Sequence, residues 1–451
     1  MTDSGTDVTA TPDAVDAGMP EPGTPDTTRR FHPDDPDSWL DRFGLPVAFF
    51  VIAAAIYEWV SNGRPTDLDY FVPLANAFLH GQLGLPNAPS WLNELVPSGT
   101  GLGYVVYPPA PAIVLLPLVA LFGPGFDQGL ASTLMGAANV AIASVVIRWM
   151  GVRYRERVVL TAVFGFGTIL WYSAQEGTSW HFAHVVATCF MLLAIHLAQR
   201  DGRAALIGLC FAMAAMSRLP VAMAAPFFLA YFLDRAWRER TGDDTIFGWL
   251  HADRPKALAS LPSLRDTVIA AWPAVAVGIV VLALYMGYNQ ARFGSPTQNG
   301  YALLSGIMAE GQYSQGFFSL GYIPRMLYSM FLSVPMEVGD FPWIQSRRLG
   351  GLSILLTTPL FLWAFKARRP DWFGLGAWTA VILTLLPVLT HGDAGGSQFG
   401  FRYAQDVYPF LLLLTVRGLR GRISFEAWVA IAIGFAVNAW GMWSTYDNWW
   451  G

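Results

Sequence analysis

The chain has 451 residues, of which 54% are hydrophobic and only 13% charged, with 18 Trp and 30 Phe. That balance excludes a soluble two- or three-domain protein and leaves an all-α polytopic integral membrane protein. The formal net charge of -4 is unevenly placed: residues 1–45 hold ten Asp/Glu against three Arg, a net -7, so the remainder carries +3. A positive remainder is what cytoplasmic loops of a membrane protein carry, and it is not a nucleic-acid signature.

Residues 1–42 are rich in Asp, Pro, Thr and Gly, with almost no large apolar residue before Phe31. Such a segment cannot bury enough surface to offset its ordering entropy, so a disordered acidic cytoplasmic tail is predicted. Thr28-Arg29-Arg30-Phe31 is not a twin-arginine signal, because a polar run follows it. The first span, Pro46 to Val60, then serves as an uncleaved signal anchor or, alternatively, as a cleaved signal peptide. Residues 43–451 form one transmembrane domain.

A cytoplasmic tail puts the loop 61–127 outside. Counting Ala110–Phe122 as a span would place Arg148, Arg153, Arg155 and Arg157 outside, against the preference of positive residues for the cytoplasm. Residues 107–122, started by Pro108-Pro109, are therefore expected as a juxtamembrane or re-entrant helix on the outer face. Further spans follow at 128–147, 158–174, 182–199, 204–217, 219–233, 267–289, 349–365, 372–390, 404–416 and 424–443, which makes eleven with the first. This layout leaves Arg64, Arg218, Arg292, Arg325, Arg347, Arg348 and Arg402 outside and the other 21 of 28 basic residues inside. The expected cytoplasmic loop is 234–266, in which no phosphate-binding glycine loop occurs. The outer segments are 61–127, 290–348 and 391–403. No internal repeat of the kind found in many transporters is visible. Cys189 and Cys210 both fall within spans and read as buried thiols.

The chemistry is expected on the outer face. Asp67 and Asp69, at the membrane surface, supply a general base or a ligand pair for a divalent cation, Mg or Mn, or else mark a loop edge. Arg218, in Met216-Ser217-Arg218-Leu219-Pro220, needs an anionic partner such as phosphate, or snorkels to lipid headgroups. Arg402, in the glycine-rich run from Gly395 to Tyr403, and Arg292, in Asn289-Gln290-Ala291-Arg292-Phe293-Gly294, either bind phosphate or cap helix ends. His181 and His184, three apart, share a helix face and read as hydrogen-bonded or substrate-contacting rather than as a zinc site, which needs three or four protein ligands. Trp91, Trp180 and Trp343 either stack on sugars or form an interfacial belt.

In these residues the chain resembles the GT-C membrane glycosyltransferases, in the branch of the protein O-mannosyltransferases and the lipid A aminoarabinose transferase. The resemblance rests on Asp67, Phe71, Ala75 and Gly81, then Tyr107-Pro108-Pro109 through Leu121-Phe122-Gly123, then Phe399 to Tyr403 with Pro409. It covers most of 45–420. One departure is Asp67-Leu68-Asp69 where the branch often has adjacent Asp-Glu, a spacing similar to the metal-binding motif of the oligosaccharyltransferase relatives. The resemblance implies a GT-C-like fold at the inner (plasma) membrane with an outward-facing site. It also implies a polyprenyl-phosphate sugar donor and a glycan, lipid or protein acceptor, with transfer by inversion. Asp67 would then be the general base, and Asp69 would orient the acceptor or hold a cation. Arg218, Arg402 and Arg292 would sit on the leaving phosphate, and Tyr70, Tyr107, Pro108, His181, His184 and Tyr403 would line the substrate site. The rival reading is a transporter or flippase for a lipid-linked anionic glycan precursor.

Overall fold

The computed structural model describes residues 39–63, 66, 68–89, 91–242, 264–339, 344–347, 349–367, 371–396 and 398–446. The predicted tail up to residue 38 and the middle of the predicted cytoplasmic loop, 243–263, lie outside them.

Apolar runs of about 20 residues become long helices, because in hydrocarbon a backbone must satisfy its own hydrogen bonds. A π-helical turn, Leu40–Gly44, leads into α1 (Leu45–Ser61). Then follow α2 (Phe71–Leu79), the strands β1 (Leu85–Pro86), β2 (Leu95–Pro97) and β3 (Leu102–Val105), and α3 (Ala110–Phe122). The bundle continues with α4 (Gln128–Arg148), α5 (Tyr154–Phe166), α6 (Leu170–Glu176), α7 (Ser179–Gln199), α8 (Ala204–Ala215), α9 (Ala225–Thr241) and α10 (Leu264–Phe293). Short helices α11 (Ser305–Met308), α12 (Ile323–Leu327) and α13 (Ile354–Thr357) precede α14 (Trp372–Leu389), α15 (Tyr408–Leu419) and α16 (Phe425–Tyr446).

Among the described residues seven helices are long and apolar enough to cross a membrane, or eight if the bent pair α5 and α6 forms one span. The protein is thus a multi-pass helical membrane protein. Eight of the eleven predicted spans correspond to these, and the other three are short or broken. α8 has 12 residues. The segment predicted at 349–365 is α13 followed by a 3-10 helix, Pro359–Lys366, in which each residue rises ~2 Å rather than ~1.5 Å. The segment at 404–416 is a 3-10 helix, Arg402–Val407, running into α15. The 47° bend between α5 and α6 falls at Gly167, where Thr168 Oγ1 donates to Phe164 O at 2.8 Å and accepts from Leu170 N at 3.1 Å, satisfying the freed backbone.

The helices alternate in direction, so the loops gather at two ends. At one end Arg153 reaches Gly421 O, Arg235 reaches Gly202 O, Arg238 pairs with Asp201 and Asp234, and Arg417 pairs with Asp371. There the boundary predicted for the disordered tail is corrected. Residues 39–42 are ordered, and Asp41 is buried between Arg148 and Arg157, the latter only 1% exposed. Two guanidiniums needing one carboxylate explain why the acidic tail's last residues join the bundle.

At the opposite end backbone bonds tie the connecting segments together: Ser179 N to Leu68 O (3.1 Å), Ala110 N to Met216 O (3.1 Å), Ser319 N to Thr390 O (2.8 Å) and Gly350 N to Gly395 O (2.8 Å). α3, at 13 residues, is too short to cross a membrane. The segment between α1 and α4 is not wholly helical: β3 pairs antiparallel with both β1 and β2. The two-residue strands Met336–Glu337 and Ile344–Gln345 also pair antiparallel.

Candidate active site

A cavity of about 500 Å³ opens at this second end, lined from five parts of the chain. Asn93, Glu94, Tyr107 and Pro108 come from the first outer segment, Ser179, Trp180 and Ala183 from α7, and Ser217 to Pro220 with Met223 from the α8–α9 junction. Tyr301, Leu304, Ile307, Glu310 and Tyr313 belong to the second outer segment, and Val388, His391, Asp393, Gly396, Arg402 and Tyr403 close the remaining wall. The volume lies within the ~300–1,000 Å³ of small-ligand sites.

The first segment is pinned before it reaches the cavity. Tyr70 N donates to Ser179 Oγ (2.8 Å), Phe71 N to Gln128 Oε1 (3.3 Å) and Gln128 Nε2 to Gly177 O (2.7 Å). Gly177 has φ +61°, and a Cβ there would lie 2.7 Å from Gly129 Cα, so the turn that closes on α4 requires glycine. Asp127 caps α4 by accepting from Gly129 N and Leu130 N.

Two arginines form the cationic side of the cavity. Arg218 Nε and Nη2 both donate to Asp406 Oδ2, at 3.3 and 3.2 Å, while the other Asp406 oxygen lies 2.6 Å from His184 Nδ1. Arg402 donates from Nη1 to Gly396 O at 3.0 Å. The Tyr403 ring neighbours both guanidiniums, 5.4 Å from that of Arg218 and 5.1 Å from that of Arg402. Asp406 neutralises only one of the two charges.

Glu94 also lines the cavity. Its Oε2 accepts from the Tyr107 hydroxyl and from Trp180 Nε1 (3.3 Å). Tyr70 supports it from behind: its hydroxyl donates to Asn93 Oδ1 and accepts from Glu94 N, both at 3.2 Å. Burial pushes the Glu94 carboxyl above the usual carboxylate range, against the hydrogen bonds from Tyr107 and Trp180 and the charge of Arg402. Burial likewise raises the Tyr107 phenol and lowers the His391 imidazole.

Of the residues singled out in the sequence, Tyr107, Pro108, Arg218, Arg402 and Tyr403 line the cavity together. Asp67 lies outside the described residues, as do Arg64, Trp343 and Arg348. Asp69 does not line the cavity: its Oδ1 accepts from Val72 N (3.0 Å) at the start of α2, and burial raises its carboxyl to about 7. Tyr70 acts through Glu94 rather than on the cavity. Arg292 is placed elsewhere: it donates to Val105 O and to Asn289 Oδ1 (2.9 Å) and stacks 3.6 Å from the Tyr288 ring centroid. It locks the end of α10 to β3, because a buried guanidinium spends its donors on the nearest carbonyls. His181 and His184 are buried behind the wall, held by Thr178 Oγ1 (2.7 Å) and Asp406. Among the described residues no three His, Cys, Asp or Glu side chains converge on a metal position. Trp91 is exposed, whereas Trp180 sits in the site.

Sequence reasoning passed over Glu94 and Asp406. Glu94 lies in a short loop with no periodicity to mark it. Asp406 did carry a signal, since a lone carboxylate inside a predicted span is costly and marks a functional position.

No family model matches the chain, and no curated protein matches it. The solved structures similar to it include two glycosyltransferases. ArnT from Cupriavidus metallidurans, solved bound to undecaprenyl phosphate, is 17% identical with a TM-score of 0.47, over 87% of this chain and 63% of that one. The oligosaccharyltransferase of Archaeoglobus fulgidus, in its apo form, is 10% identical with a TM-score of 0.44, over 90% of this chain and 56% of that one. Both are glycosyltransferases of the GT-C fold, and the likeness concerns the fold alone. The chain spans less than two thirds of the length of either.

Proposed function

We propose that the protein is a membrane glycosyltransferase that moves a sugar from a polyprenyl-phosphate donor to an acceptor hydroxyl, with inversion. The observation that carries this reading is the pair of cavity guanidiniums, Arg218 and Arg402, both beside the Tyr403 ring and only half neutralised by Asp406. Such a pair suits a phosphate, which planar guanidiniums bind through paired hydrogen bonds. The wall from Leu219 to Met223, with Leu304, Ile307 and Val388, gives the same cavity an apolar side for a lipid. Trp180 and the tyrosines offer the aromatic and hydroxyl surfaces that sugars use. The motif order of the sequence points the same way.

In this reaction the bond from the anomeric carbon to the phosphate oxygen breaks, and the leaving polyprenyl phosphate gains one negative charge. Arg218 and Arg402 stabilise that charge as it grows, which makes them more effective in the transition state than in the bound donor. The more basic end of the bundle would face the cytoplasm, placing the cavity on the outer side of the plasma membrane. The acceptor would be a lipid, glycan or protein hydroxyl.

The reading is tested by binding. Purified full chain in nanodiscs is titrated with a polyprenyl phosphate and with the same polyprenol lacking phosphate. Phosphate-dependent binding that Arg218→Ala and Arg402→Ala each weaken about tenfold or more is expected, as for loss of a charge-assisted hydrogen bond. Equal binding of alcohol and phosphate would remove the basis of the proposal.

A further inference from the structure

Inverting transfer needs a base on the face of the sugar opposite the phosphate. We propose that Glu94 is the general base that takes the acceptor proton, an inference that rests on the glycosyltransferase reading.

Among the described residues three carboxylates line the cavity, and their surroundings separate them; Asp67 lies outside those residues. Glu310 is exposed, and Gln312 donates to its Oε2. Asp393 stands on the turn that carries Gly396, the carbonyl bound by Arg402; its Oδ1 accepts from Gly395 N at 3.0 Å, so it belongs to the phosphate side. Glu94 enters the cavity from the segment that carries Asn93. The indole of Trp180 adjoins both Glu94 and a cation: Nε1 donates to Glu94, and the Arg402 guanidinium lies 5.9 Å from the ring centroid. A sugar ring held against that indole would lie beside both groups. Both side-chain hydrogen bonds to Glu94 fall on Oε2, and among the described residues Oε1 accepts none. Oε1 is therefore the atom left for a substrate hydroxyl.

The step balances. The acceptor O–H bond breaks with its proton passing to Glu94. The acceptor oxygen bonds to the anomeric carbon, and the electron pair of the breaking C–O bond leaves on polyprenyl phosphate, facing Arg218 and Arg402. The groups whose charges act on Glu94 are Tyr70, Tyr107, Tyr301, Tyr313, Arg402 and Asp393. Burial is the largest influence and raises its pKa, which makes the carboxylate a stronger base than an exposed one. Asp69, with Oδ1 turned into the first turn of α2, has no such access.

The test uses full-length protein in nanodiscs, a panel of polyprenyl-phosphate hexoses and pentoses, and cell-envelope extract as acceptor, with released polyprenyl phosphate as readout. With a donor that wild type turns over, Glu94→Gln is expected to lose about 100-fold or more in rate, the scale of general-base catalysis, while polyprenyl phosphate binding stays within about twofold of wild type. Added formate should restore turnover to Glu94→Ala by accepting the proton, and the acid limb of the rate profile should then move to lower pH. A purely structural side chain would show neither rescue nor shift. Active wild type with Glu94→Gln within about threefold of it would overturn the assignment and leave the transferase reading standing. Loss of rate without formate rescue, accompanied by loss of polyprenyl phosphate binding, would make Glu94 structural and also overturn it. Wild type inactive on every donor would sink the transferase reading and this role together.

Discussion

Asp406→Asn is the most informative substitution in the cationic wall. It keeps the shape of the side chain and removes the charge that faces Arg218 and His184. The native carboxylate is fully buried, accepts two hydrogen bonds from Arg218 on one oxygen and lies 2.6 Å from His184 Nδ1 on the other. Removing one partner of a buried ion pair costs about 3–5 kcal/mol, because the remaining charge is left uncompensated. Spread over an unfolding entropy of ~2 cal/mol/K per residue for a chain of this size, that corresponds to a fall in Tm of about 3–5 °C. A second effect should accompany the first. Arg218 loses the anchor that aims it at the cavity, so polyprenyl phosphate affinity should fall about tenfold, the worth of one charge-assisted hydrogen bond. Thermal unfolding and ligand titration on the same nanodisc preparation read both. A variant with wild-type Tm and wild-type affinity would refute the claim that Asp406 positions Arg218.

Other substitutions separate structural from functional arginines. Arg292→Ala should lower Tm while leaving polyprenyl phosphate affinity within about twofold of wild type, since its donors go to Val105 O and Asn289; a tenfold loss of affinity would contradict its placement. Asp41→Ala should destabilise the protein by about 3 kcal/mol by stranding Arg157, and Arg157→Met in the same chain should recover part of that, as thermal unfolding of the single and double variants would show. Asp69 gives a pH signature. Its folded pKa of about 7 lies above the ordinary carboxylate value, so the native state holds its proton more tightly than the unfolded one, and this contribution to stability is lost as pH rises towards 7. Asp69→Asn should therefore gain Tm relative to wild type at pH 8 compared with pH 4; an equal difference at both pH values would remove Asp69 as the cause.

The sequence made the membrane class legible because long apolar runs have one solution in hydrocarbon. The placement of Arg148 to Arg157 also set residues 107–122 apart from the spans, and α3 is too short to cross a membrane. The irregular crossings were not: Pro359 and the charged residues Arg402 and Asp406 break the apolar pattern where the chain adopts 3-10 turns, so span length ceases to be a guide. In the site, Arg218 and Arg402 were legible because an outer-end guanidinium beside apolar spans demands an anion. Arg292 carried the same local signal, yet one of its partners, Val105 O, comes from β3, almost 190 residues away in sequence, and spacing cannot reveal such a pairing. Glu94 was hidden for the same reason: what distinguishes it is the convergence of Tyr107 and Trp180, a property of the fold. The ordering of Asp41 likewise depends on arginines from two later helices.

The central claim is that the cavity transfers sugars from polyprenyl phosphate. Its most direct test is sugar transfer by purified protein from radiolabelled polyprenyl-phosphate sugars into envelope acceptors, with wild type beside the Arg218→Ala, Arg402→Ala double variant. Label moving to acceptor in step with released polyprenyl phosphate, and abolished in the double variant, is the predicted result. Donor that binds and crosses the bilayer intact, with no label transferred, would contradict the account and favour a transporter.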